Sequence, residues 1–288
     1  MSTLNNPFAP FDAALTRAFE ENIRTALSED IGSGDLTALL VPAGERVRAS
    51  VVVREDAVLC GAPWFEAVMK QLDARLMLQW CCAEGAQMPA GAEVCVITGP
   101  ARALLTGERS ALNFLQLLSG VATQSRDYVT LVAGTRAVIL DTRKTLPGLR
   151  LAQKYAVRVG GGHNQRLALY DGILIKENHI AAAGGVAQAL HAAHALQAGV
   201  SIQIEVENMS ELQQALQAGA TSVLLDNFTP ELMCEAVAMT SGRALLEASG
   251  GVNKDSVRVI AETGVDRISV GGLTKDVRAT DYSLRIAG

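Results

Sequence analysis

The sequence has no surplus of basic residues and no long apolar run. Its 25 Lys and Arg residues are outnumbered by 30 Asp and Glu residues, which gives a formal net charge of -5 at pH 7. Nucleic-acid-binding domains usually carry a basic surplus, so this class is not expected. No apolar stretch reaches the ~20 residues that a membrane-spanning helix needs. The N-terminus also lacks the basic segment and apolar run of a signal peptide. These absences predict a cytoplasmic protein that binds neither membrane nor nucleic acid.

Several chemical motifs are absent as well. The five cysteines are odd in number and show no CxxC spacing, which favours reduced thiols over a disulfide framework or a zinc site. The sequence contains no HExxH zinc motif, no P-loop ending in Gly-Lys-Ser or Gly-Lys-Thr, and no Ser/His/Asp order. A zinc protease, a P-loop nucleotidase and a serine hydrolase are therefore not expected.

The sequence does contain enough apolar residues for a large core. Of its 288 residues 49% are hydrophobic, and this length suggests one large or two medium-sized domains. Residues 11–29 have apolar positions at helical spacing, and strand-like segments follow at RVRASVVVRED, RLMLQWCCAEG and EVCVITGPA. This mixture predicts a small α+β domain in the N-terminal part. The next segment, GERSALNFLQLLSGVATQSRDYVTLVAG, predicts a long apolar helix broken at Ser119-Gly120.

Six short apolar segments in the second half of the chain end on polar or glycine-rich clusters. Helix-like segments separate them, as in a parallel β/α barrel, whose functional residues lie at the carboxyl ends of the strands. The six are AVIL before Asp141–Lys144, GILI before Lys176–His179, SIQI before Glu205–Asn208, SVLL before Asp226 and Asn227, RALL before Glu247–Gly251, and RISV before Gly271 and Gly272. A complete barrel has eight strands, so either two strands are disguised or the barrel is incomplete.

Three of the linkers between these segments carry signals for the start of a helix. Asn208 or Ser210 begins one linker, Thr229 precedes Pro230 in another, and Asn253 comes before the last helix. Small polar side chains at such positions accept hydrogen bonds from the free amide groups of a first helical turn. The linkers are therefore predicted to be helices.

The strand-end clusters contain cations. Arg143 and Lys144 are consecutive, and although a solvated loop would explain such a pair, their place at the functional face of the predicted barrel favours an anion site. Lys176 should point into the mouth of the barrel. It could form a Schiff base, as in barrel aldolases, or hold a phosphate or carboxylate as a fixed charge. The carboxylates of Glu205 and Asp226 on neighbouring strands favour the fixed charge.

Carboxylates and glycines complete the set. Glu205, Glu207 and Asp226 could bind Mg²⁺, bind ribose hydroxyls or stabilise a developing positive charge, and one of them is expected to pair with a structural cation. Residues 160–162 are glycines that form either a flexible turn or a loop open to a ligand. The glycine pairs after the last two strands fit either tight turns or a phosphate site, which barrels often have there.

Together these motifs resemble the quinolinate phosphoribosyltransferase family. The segments that carry the resemblance are GDLT, GERSALNFLQLLSG, DTRKTLPGLR, GGGHNQR, DGILIKENHI, EVEN, LLDNF, EASGG and SVGGLT, in this order. The resemblance implies an α/β fold with two domains. An N-terminal α/β sandwich domain would cover residues 1–118 and include the tail at 276–288. An incomplete, six- to seven-stranded parallel α/β barrel would cover 119–275 and carry the site.

The resemblance also implies an activity, a cofactor and an oligomer. Members of the family transfer a 5-phosphoribosyl group from phosphoribosyl pyrophosphate to quinolinate in the presence of Mg²⁺. They release pyrophosphate and carbon dioxide and form nicotinate mononucleotide for NAD biosynthesis. They are dimers or larger, and the counterpart of Arg109 reaches the neighbouring subunit's site. We therefore expect a homodimer or higher oligomer here.

The family's site residues can be carried over motif by motif. Arg109, Arg143, Lys144, Arg166 and Lys176 would bind the quinolinate carboxylates and the phosphates. Glu205 and Asp226 would hold the ribose hydroxyls and the magnesium ion, and with Lys144 and Lys176 they form the expected catalytic set. The 5-phosphate would be bound by Ser249, Gly250, Gly251, Val270, Gly271 and Gly272. Thr142, His163 and Gln165 are further expected substrate contacts.

One position departs from the family pattern. Many members have Asn-His-Arg after the glycines, whereas this chain has Asn164-Gln165-Arg166, with a histidine at His163. An amide can donate a hydrogen bond to a carboxylate but cannot titrate. The departure therefore predicts that this position contributes to binding rather than to proton transfer, and that Gln165 replaces the histidine.

Three other functions fit these residues less well. A Schiff-base lyase using Lys176 would leave Arg109, Arg143 and Lys144 without a role. A paralogous phosphoribosyltransferase of a metal-transport operon would use another acceptor, and a non-catalytic binding protein would be expected to have lost some of the charged residues. Retention of all five basic residues argues against both.

Overall fold

A computed structural model describes residues 3–287 of the chain, which form two compact units. The first unit contains the described residues up to 126, residues 145–161 and those from 276 onward. The second unit contains residues 127–144 and 162–275. The domains predicted from the sequence divide the chain at residue 118 instead and leave residues 145–161 with the barrel.

Helices and strands alternate along most of the described residues. The α-helices are α1 (Ala13–Ile31), α2 (Ala62–Leu72), α3 (Ala101–Leu131), α4 (Arg150–Val159), α5 (Glu177–Ala183), α6 (Val186–Ala195), α7 (Met209–Gln217), α8 (Pro230–Thr240), α9 (Val257–Glu262) and α10 (Gly272–Lys275), with a 3₁₀ helix at Ala38–Leu40. The strands are β1 (Arg46–Val53), β2 (Ala57–Val58), β3 (Met77–Trp80), β4 (Gln87–Met88), β5 (Glu93–Pro100), β6 (Val138–Leu140), β7 (Gly172–Ile175), β8 (Ser201–Val206), β9 (Ser222–Asp226), β10 (Leu245–Ser249), β11 (Arg267–Ser269) and β12 (Tyr282–Ile286). Among these residues no helix is long and apolar enough to span a bilayer.

The first unit is built on an antiparallel sheet with the strand order β12-β1-β5-β3. Along β1 every second residue is buried, at Ala49, Val51 and Val53, because alternate side chains of a strand point to opposite faces. The last strand of the chain, β12, pairs with β1 and completes the sheet on that side.

The helix α3 runs without interruption through the Ser119-Gly120 pair, so the predicted break was wrong. Ser119 is fully buried, and its hydroxyl accepts a hydrogen bond from the backbone N–H of Cys60 at 3.0 Å. A Cβ atom at Gly120 would lie only 2.2 Å from the carbonyl oxygen of Arg278. The two small residues therefore allow close packing of other segments of the first unit against α3.

Aromatic side chains form part of the core of the first unit. The ring centroid of Phe11, just before α1, lies 5.6 Å from that of Trp64 on α2 and 5.2 Å from that of Tyr155 on α4. Phe19 on α1 packs edge-on against Trp64 at 5.0 Å. Tilted and edge-on contacts of this kind are favoured by the ring quadrupoles, so the cluster fixes three helices relative to one another.

The second unit is built on a parallel sheet with the strand order β6-β11-β10-β9-β8-β7. Each of its six strands overlaps one of the six apolar segments that predicted them. Within the described residues the outer strands β6 and β7 do not pair with each other, and a single parallel bridge joins Leu140 at the end of β6 to His163. The predicted incomplete α/β barrel is confirmed.

Two of the three predicted helix starts are also confirmed. The side chain of Asn208 accepts a hydrogen bond in the first turn of α7, and Thr229 does the same for α8. Asn253 instead accepts a hydrogen bond from the backbone N–H of Ser256 at 3.0 Å, and α9 begins only at Val257. These helices connect consecutive strands and leave the carboxyl ends of the strands on one edge.

A buried carboxylate links two helices of the first unit. Glu84 accepts hydrogen bonds from the backbone N–H groups of Gly61 and Ala62 at the start of α2, at 2.8 and 3.2 Å. The hydroxyl of Tyr155 donates a third hydrogen bond to it at 3.0 Å. Burial raises the pKa of Glu84 to about 7, because desolvation destabilises the charged carboxylate more than these hydrogen bonds stabilise it.

We expect the stability of the first unit to fall as pH rises from 5 to 7.5. The pKa of Glu84 is raised on folding from 4.5 to about 7, so across this window the unfolded chain loses the proton while the folded chain still holds it. The contribution is about 3 kcal/mol. Urea unfolding of wild-type protein and of Glu84→Gln at both pH values measures it, since other titrating groups cancel in the comparison. An equal pH dependence of the two proteins would contradict the assignment.

Candidate active site

The carboxyl ends of the six parallel strands bring most of the predicted site residues to one edge of the sheet. Asp226 ends β9 and lies opposite Ser249, which ends β10. Lys176 follows β7, and Glu205 lies near the end of β8. Every residue predicted for the site, except Arg109, belongs to the second unit. Arg109 is an exposed residue of α3 in the first unit, and its reach to a neighbouring subunit stays a prediction.

Two guanidinium groups, those of Arg143 and Arg166, lie close enough to repel. Burial lowers the pKa of Arg166, the charge of Arg143 lowers it further, and Asp171 opposes this effect. The Nε atom of half-buried Arg143 is itself buried and has no hydrogen-bond partner among residues 3–287. A buried donor without a partner is costly, and two neighbouring cations repel, so an anion bound here would relieve both costs.

Lys144 lies over the glycine that follows β11. A Cβ atom at Gly271 would be 3.2 Å from the Cδ atom of Lys144 and 3.8 Å from the hydroxyl of Thr142. The backbone N–H of Lys144 donates to that hydroxyl at 3.0 Å, and its carbonyl oxygen accepts from the hydroxyl of Thr274 at 2.7 Å. The structure therefore brings Thr142 and Lys144 of one predicted motif next to Gly271 of another.

Lys176 forms an ion pair with Glu205. Its Nζ atom lies 3.1 Å from one carboxylate oxygen of Glu205 and 3.3 Å from the other. Glu205 is buried, whereas Lys176 is partly exposed. The carboxylate occupies the lysine nitrogen and fixes its position, which suits a charge that holds an anion better than a nucleophile that forms a Schiff base. Glu205 is thus the acid that pairs with a structural cation.

Asp226 is the second carboxylate predicted to bind the ribose hydroxyls. Asp226 is half-buried and accepts a hydrogen bond from the side-chain amide of Asn227 at 2.8 Å. Asn227 also packs against the next strand end, since a Cβ atom at Gly250 would lie 2.1 Å from its Oδ1 atom. Gly250 has a φ of +104°, a conformation that strongly favours glycine. The close approach of these two strand ends therefore requires the glycine.

The loops after β10 and β11 offer backbone donors. In the described part of the chain, the N–H groups of Gly250, Gly251 and Gly271 donate to no other backbone group. Glycine-rich loops with free amide groups suit a phosphate. Val270 donates its N–H to the carbonyl oxygen of Leu140 at 2.9 Å, which fixes the start of the second loop. Binding of a phosphate here stays a prediction.

The donor set does not form a resident metal centre. Among residues 3–287 no group of three or more His, Cys, Asp and Glu side chains is arranged to hold a metal ion. Glu205 is paired with Lys176, which leaves Asp226 as the more accessible of the two predicted ligands. Such a set fits Mg²⁺ only when substrate phosphates supply most of the ligands.

Two predicted substrate contacts, His163 and Gln165, have hydrogen-bond partners within the protein. His163 contributes its backbone to β6: its N–H donates to Ile139 at 2.8 Å, and its imidazole is exposed. The side chain of Gln165 donates from Nε2 to Gln203 at 2.8 Å, and its Oε1 accepts from the N–H of Arg166 at 2.6 Å. Direct contact of either side chain with a substrate stays a prediction.

Sequence reasoning gave no role to a set of buried polar residues behind the site. Asp141 accepts from the side-chain amide of Asn164 at 2.6 Å and from the N–H of Gln165 at 2.9 Å. Gln203 is hydrogen-bonded to Glu247, and both are buried. The available signal was the polar residue at an alternate position within the apolar segment SIQIEV, on the same face as Glu205.

We expect Gln165→His to change kcat by less than about tenfold and to add no new limb to the pH–rate profile. Both ends of the Gln165 amide already serve protein partners, so an imidazole here would take over those hydrogen bonds. Profiles of kcat against pH for the two proteins are the measurement. A larger gain, together with a limb near the ordinary histidine pKa of about 6.5, would contradict this expectation.

Comparison with known proteins gives the family. Residues 35–119 match the family model described as quinolinate phosphoribosyl transferase, N-terminal domain, and residues 121–285 match its C-terminal domain. The nicotinate-nucleotide pyrophosphorylase (carboxylating) of Mycobacterium leprae is 42% identical over 282 residues, which cover 95% of this chain and 97% of that protein. A quinolinate phosphoribosyltransferase (decarboxylating) of Nicotiana tabacum is 37% identical over 92% of this chain and 81% of that protein.

A solved structure gives the same result. The nicotinate-nucleotide pyrophosphorylase of Francisella tularensis is 44% identical and superposes with a TM-score of 0.92 over 94% of this chain and 96% of that one. Both matched domains, the arrangement of strands and the identity over nearly the whole length agree with the resemblance of the motifs. The chain therefore belongs to the quinolinate phosphoribosyltransferase family.

Proposed function

We propose that the protein is a decarboxylating quinolinate phosphoribosyltransferase. It transfers the 5-phosphoribosyl group of phosphoribosyl pyrophosphate to the ring nitrogen of quinolinate and releases pyrophosphate and carbon dioxide. The product is nicotinate mononucleotide, a precursor of NAD. The observation that carries the proposal is the buried Nε of Arg143, which lacks a partner within residues 3–287 and lies near the guanidinium group of Arg166.

The two arginines fit a dicarboxylate. A planar guanidinium binds a carboxylate through two parallel hydrogen bonds, and quinolinate carries two carboxylates on adjacent ring carbons. Arg166 is fixed by a hydrogen bond from its guanidinium to the carbonyl oxygen of Gly172 at 3.0 Å, whereas Arg143 has a free Nε. With both carboxylates bound, the ring nitrogen is held in place for attack, which is the main contribution that the protein has to make.

The carboxylates of the site suit the transfer step. Departure of pyrophosphate from the anomeric carbon builds positive charge on the ribose, which nearby fixed negative charge stabilises. Asp226 supplies that charge and can accept hydrogen bonds from ribose hydroxyls. Glu205 and Lys176 form a neutral pair in which the ammonium remains available to an anionic group of a substrate.

The glycine loops and the magnesium ion serve phosphoribosyl pyrophosphate. The 5-phosphate would be bound by backbone amides of the loops Ser249–Gly251 and Val270–Gly272, and Lys144 lies beside the second loop. Magnesium would enter as the complex of that substrate and neutralise the pyrophosphate, with Asp226 and Glu205 as the carboxylates available to it.

Decarboxylation then requires no cofactor such as pyridoxal phosphate. Once the ring nitrogen carries the ribose it is positively charged. The bond from the ring to the adjacent carboxylate breaks, carbon dioxide leaves, and the ring carbon keeps the electron pair, stabilised by the charged nitrogen, until it takes up a proton. A covalent nucleophile is not needed, which agrees with the pairing of Lys176.

The test uses quinolinate labelled in the carboxylate next to the ring nitrogen, with Mg²⁺ and phosphoribosyl pyrophosphate. We expect release of labelled carbon dioxide that depends on both substrates. Arg143→Met should lower kcat/KM at least about tenfold, without lowering the free energy of unfolding, because the repulsion of Arg166 is relieved. Arg258→Met, on the surface of α9 and paired with Glu262 outside the predicted site, is the matched control and should retain activity.

Other outcomes are informative. If nucleotide forms from nicotinate but no labelled carbon dioxide is released from quinolinate, the protein is a phosphoribosyltransferase that does not decarboxylate its acceptor. If neither acceptor reacts, the proposed function is wrong and a Schiff-base lyase is favoured. Borohydride trapping at Lys176 tests that alternative.

We further propose a homodimer or higher oligomer in which Arg109 completes the partner's site. Arg109 is exposed on α3. Arg109→Ala and Lys144→Ala proteins should each be inactive, but co-refolding them should restore about a quarter of wild-type activity, since half of the dimers then carry one intact site. Sedimentation velocity gives the oligomer size. No restored activity from confirmed mixed dimers would show that Arg109 acts within its own chain or not at all.

A further inference from the structure

Polar side chains from three strands are hydrogen-bonded in series inside the second unit. Gln203 on β8 donates from Nε2 to Oε2 of Glu247 on β10 at 2.8 Å, and the hydroxyl of Ser269 on β11 donates to the other oxygen of the same carboxylate. Gln203, Glu247 and Ser269 are only 5%, 1% and 5% exposed. At its other end Gln203 accepts, through Oε1, from Nε2 of Gln165 at 2.8 Å.

The carboxylate of Glu247 sets the direction of these hydrogen bonds. Glu247 accepts through both of its carboxylate oxygens, from Ser269 and from Gln203, so the amide of Gln203 turns its NH₂ group toward Glu247 and its oxygen toward Gln165. Gln165 must then turn its own NH₂ group toward Gln203. Each of the two amides is thereby held in one of its two possible orientations, and the oxygen of Gln165 is left facing away from Gln203.

That oxygen acts on the backbone of a residue proposed to bind substrate. It accepts from the N–H of Arg166 at 2.6 Å. The N–H of Gln165 donates to fully buried Asp141 at 2.9 Å, so the segment is fixed from a second side. The segment is also joined to the end of β6 by the bridge of His163 and by the hydrogen bond from Asn164 to Asp141. The backbone of Arg166 is therefore positioned partly by groups that lie deeper in the unit than the site.

We infer that Gln203, held by Glu247, is a positioning residue for Arg166 and sets the affinity for the acceptor substrate through Gln165. This rests on the proposed function for the identity of the acceptor as quinolinate. Neither Gln203 nor Glu247 needs to touch a substrate. The alternative is that the network only satisfies buried polar groups and contributes to stability alone.

The test compares three variants of the whole protein, each with one substitution in the second unit. Gln203→Leu removes the bridge between Gln165 and Glu247 with little change of volume. Glu247→Gln keeps an acceptor for Gln203, because the hydroxyl of Ser269 can turn and accept from the new amide. Thr263→Val is the matched control: it removes a buried hydroxyl that donates to Ile260 at 2.7 Å at the end of α9, outside the network.

We expect Gln203→Leu to raise KM for quinolinate about tenfold, the effect of losing roughly one buried hydrogen bond. The kcat and the KM for phosphoribosyl pyrophosphate should change less than about twofold, and Glu247→Gln and Thr263→Val should leave all three constants within about twofold. Hydrogen exchange at the Arg166 amide should accelerate in Gln203→Leu and not in Thr263→Val. Unchanged KM with a lowered free energy of unfolding would overturn the inference in favour of the stability role.

The inference can also be tested if a variant does not fold or if the wild-type protein is inactive. If Gln203→Leu does not fold, Gln203→Asn keeps a polar amide but shortens it by one methylene, so that it cannot reach both Glu247 and Gln165: a raised KM for quinolinate supports the inference, and an unchanged KM overturns it. If wild-type protein does not turn over quinolinate, the proposed function fails by itself, and the exchange rate at Arg166 decides the positioning role. Equal rates in Gln203→Leu and Thr263→Val would then overturn it.

Discussion

The structure of the site depends on keeping like charges together. Burial and the charge of Arg143 lower the pKa of Arg166, while Asp171 opposes them, and the Nε of Arg143 is buried without a partner among the described residues. An anion bound between the two guanidinium groups would counter both charges and satisfy this donor. Strand ends and the buried carboxylates of Asp141 and Glu205 hold the neighbouring groups in place. The protein thus brings the two cations together before an anion binds.

Local signals predicted most of the fold. The apolar segments that end on polar clusters became the six strands β6–β11, and Asn208 and Thr229 begin helices because capping involves only the next few residues. The predicted break at Ser119-Gly120 failed for the opposite reason. Small residues within a helix can mark a break or a close contact, and here the contacts are with Cys60 and Arg278, whose proximity no local pattern reveals.

The same distinction applies to the site. Lys176, Glu205 and Asp226 could be predicted because the carboxyl ends of parallel strands share one edge of a sheet. The link from Gln203 to Glu247 could not, because it passes from β8 to β10 across the intervening β9. Its partners are fixed by the register and curvature of three strands. The hydrogen bond of Gln165 to Gln203 depends on the bond from Gln203 to Glu247. The sequence therefore shows that Gln165 differs from the family pattern, but it does not reveal the hydrogen-bond partners of this residue.

The pairing of the last strand with β1 has a consequence for synthesis of the chain. The first unit contains residues from both ends, whereas all residues of the second unit precede residue 276. A chain emerging from the ribosome can therefore complete the second unit while β1 still has an unpaired edge, which only β12 fills. Unpaired edges are where newly made chains associate wrongly. Synthesis of the first unit begins before that of the second, but its sheet is completed only when β12 has been made, so β1 keeps an open edge while the second unit is synthesised.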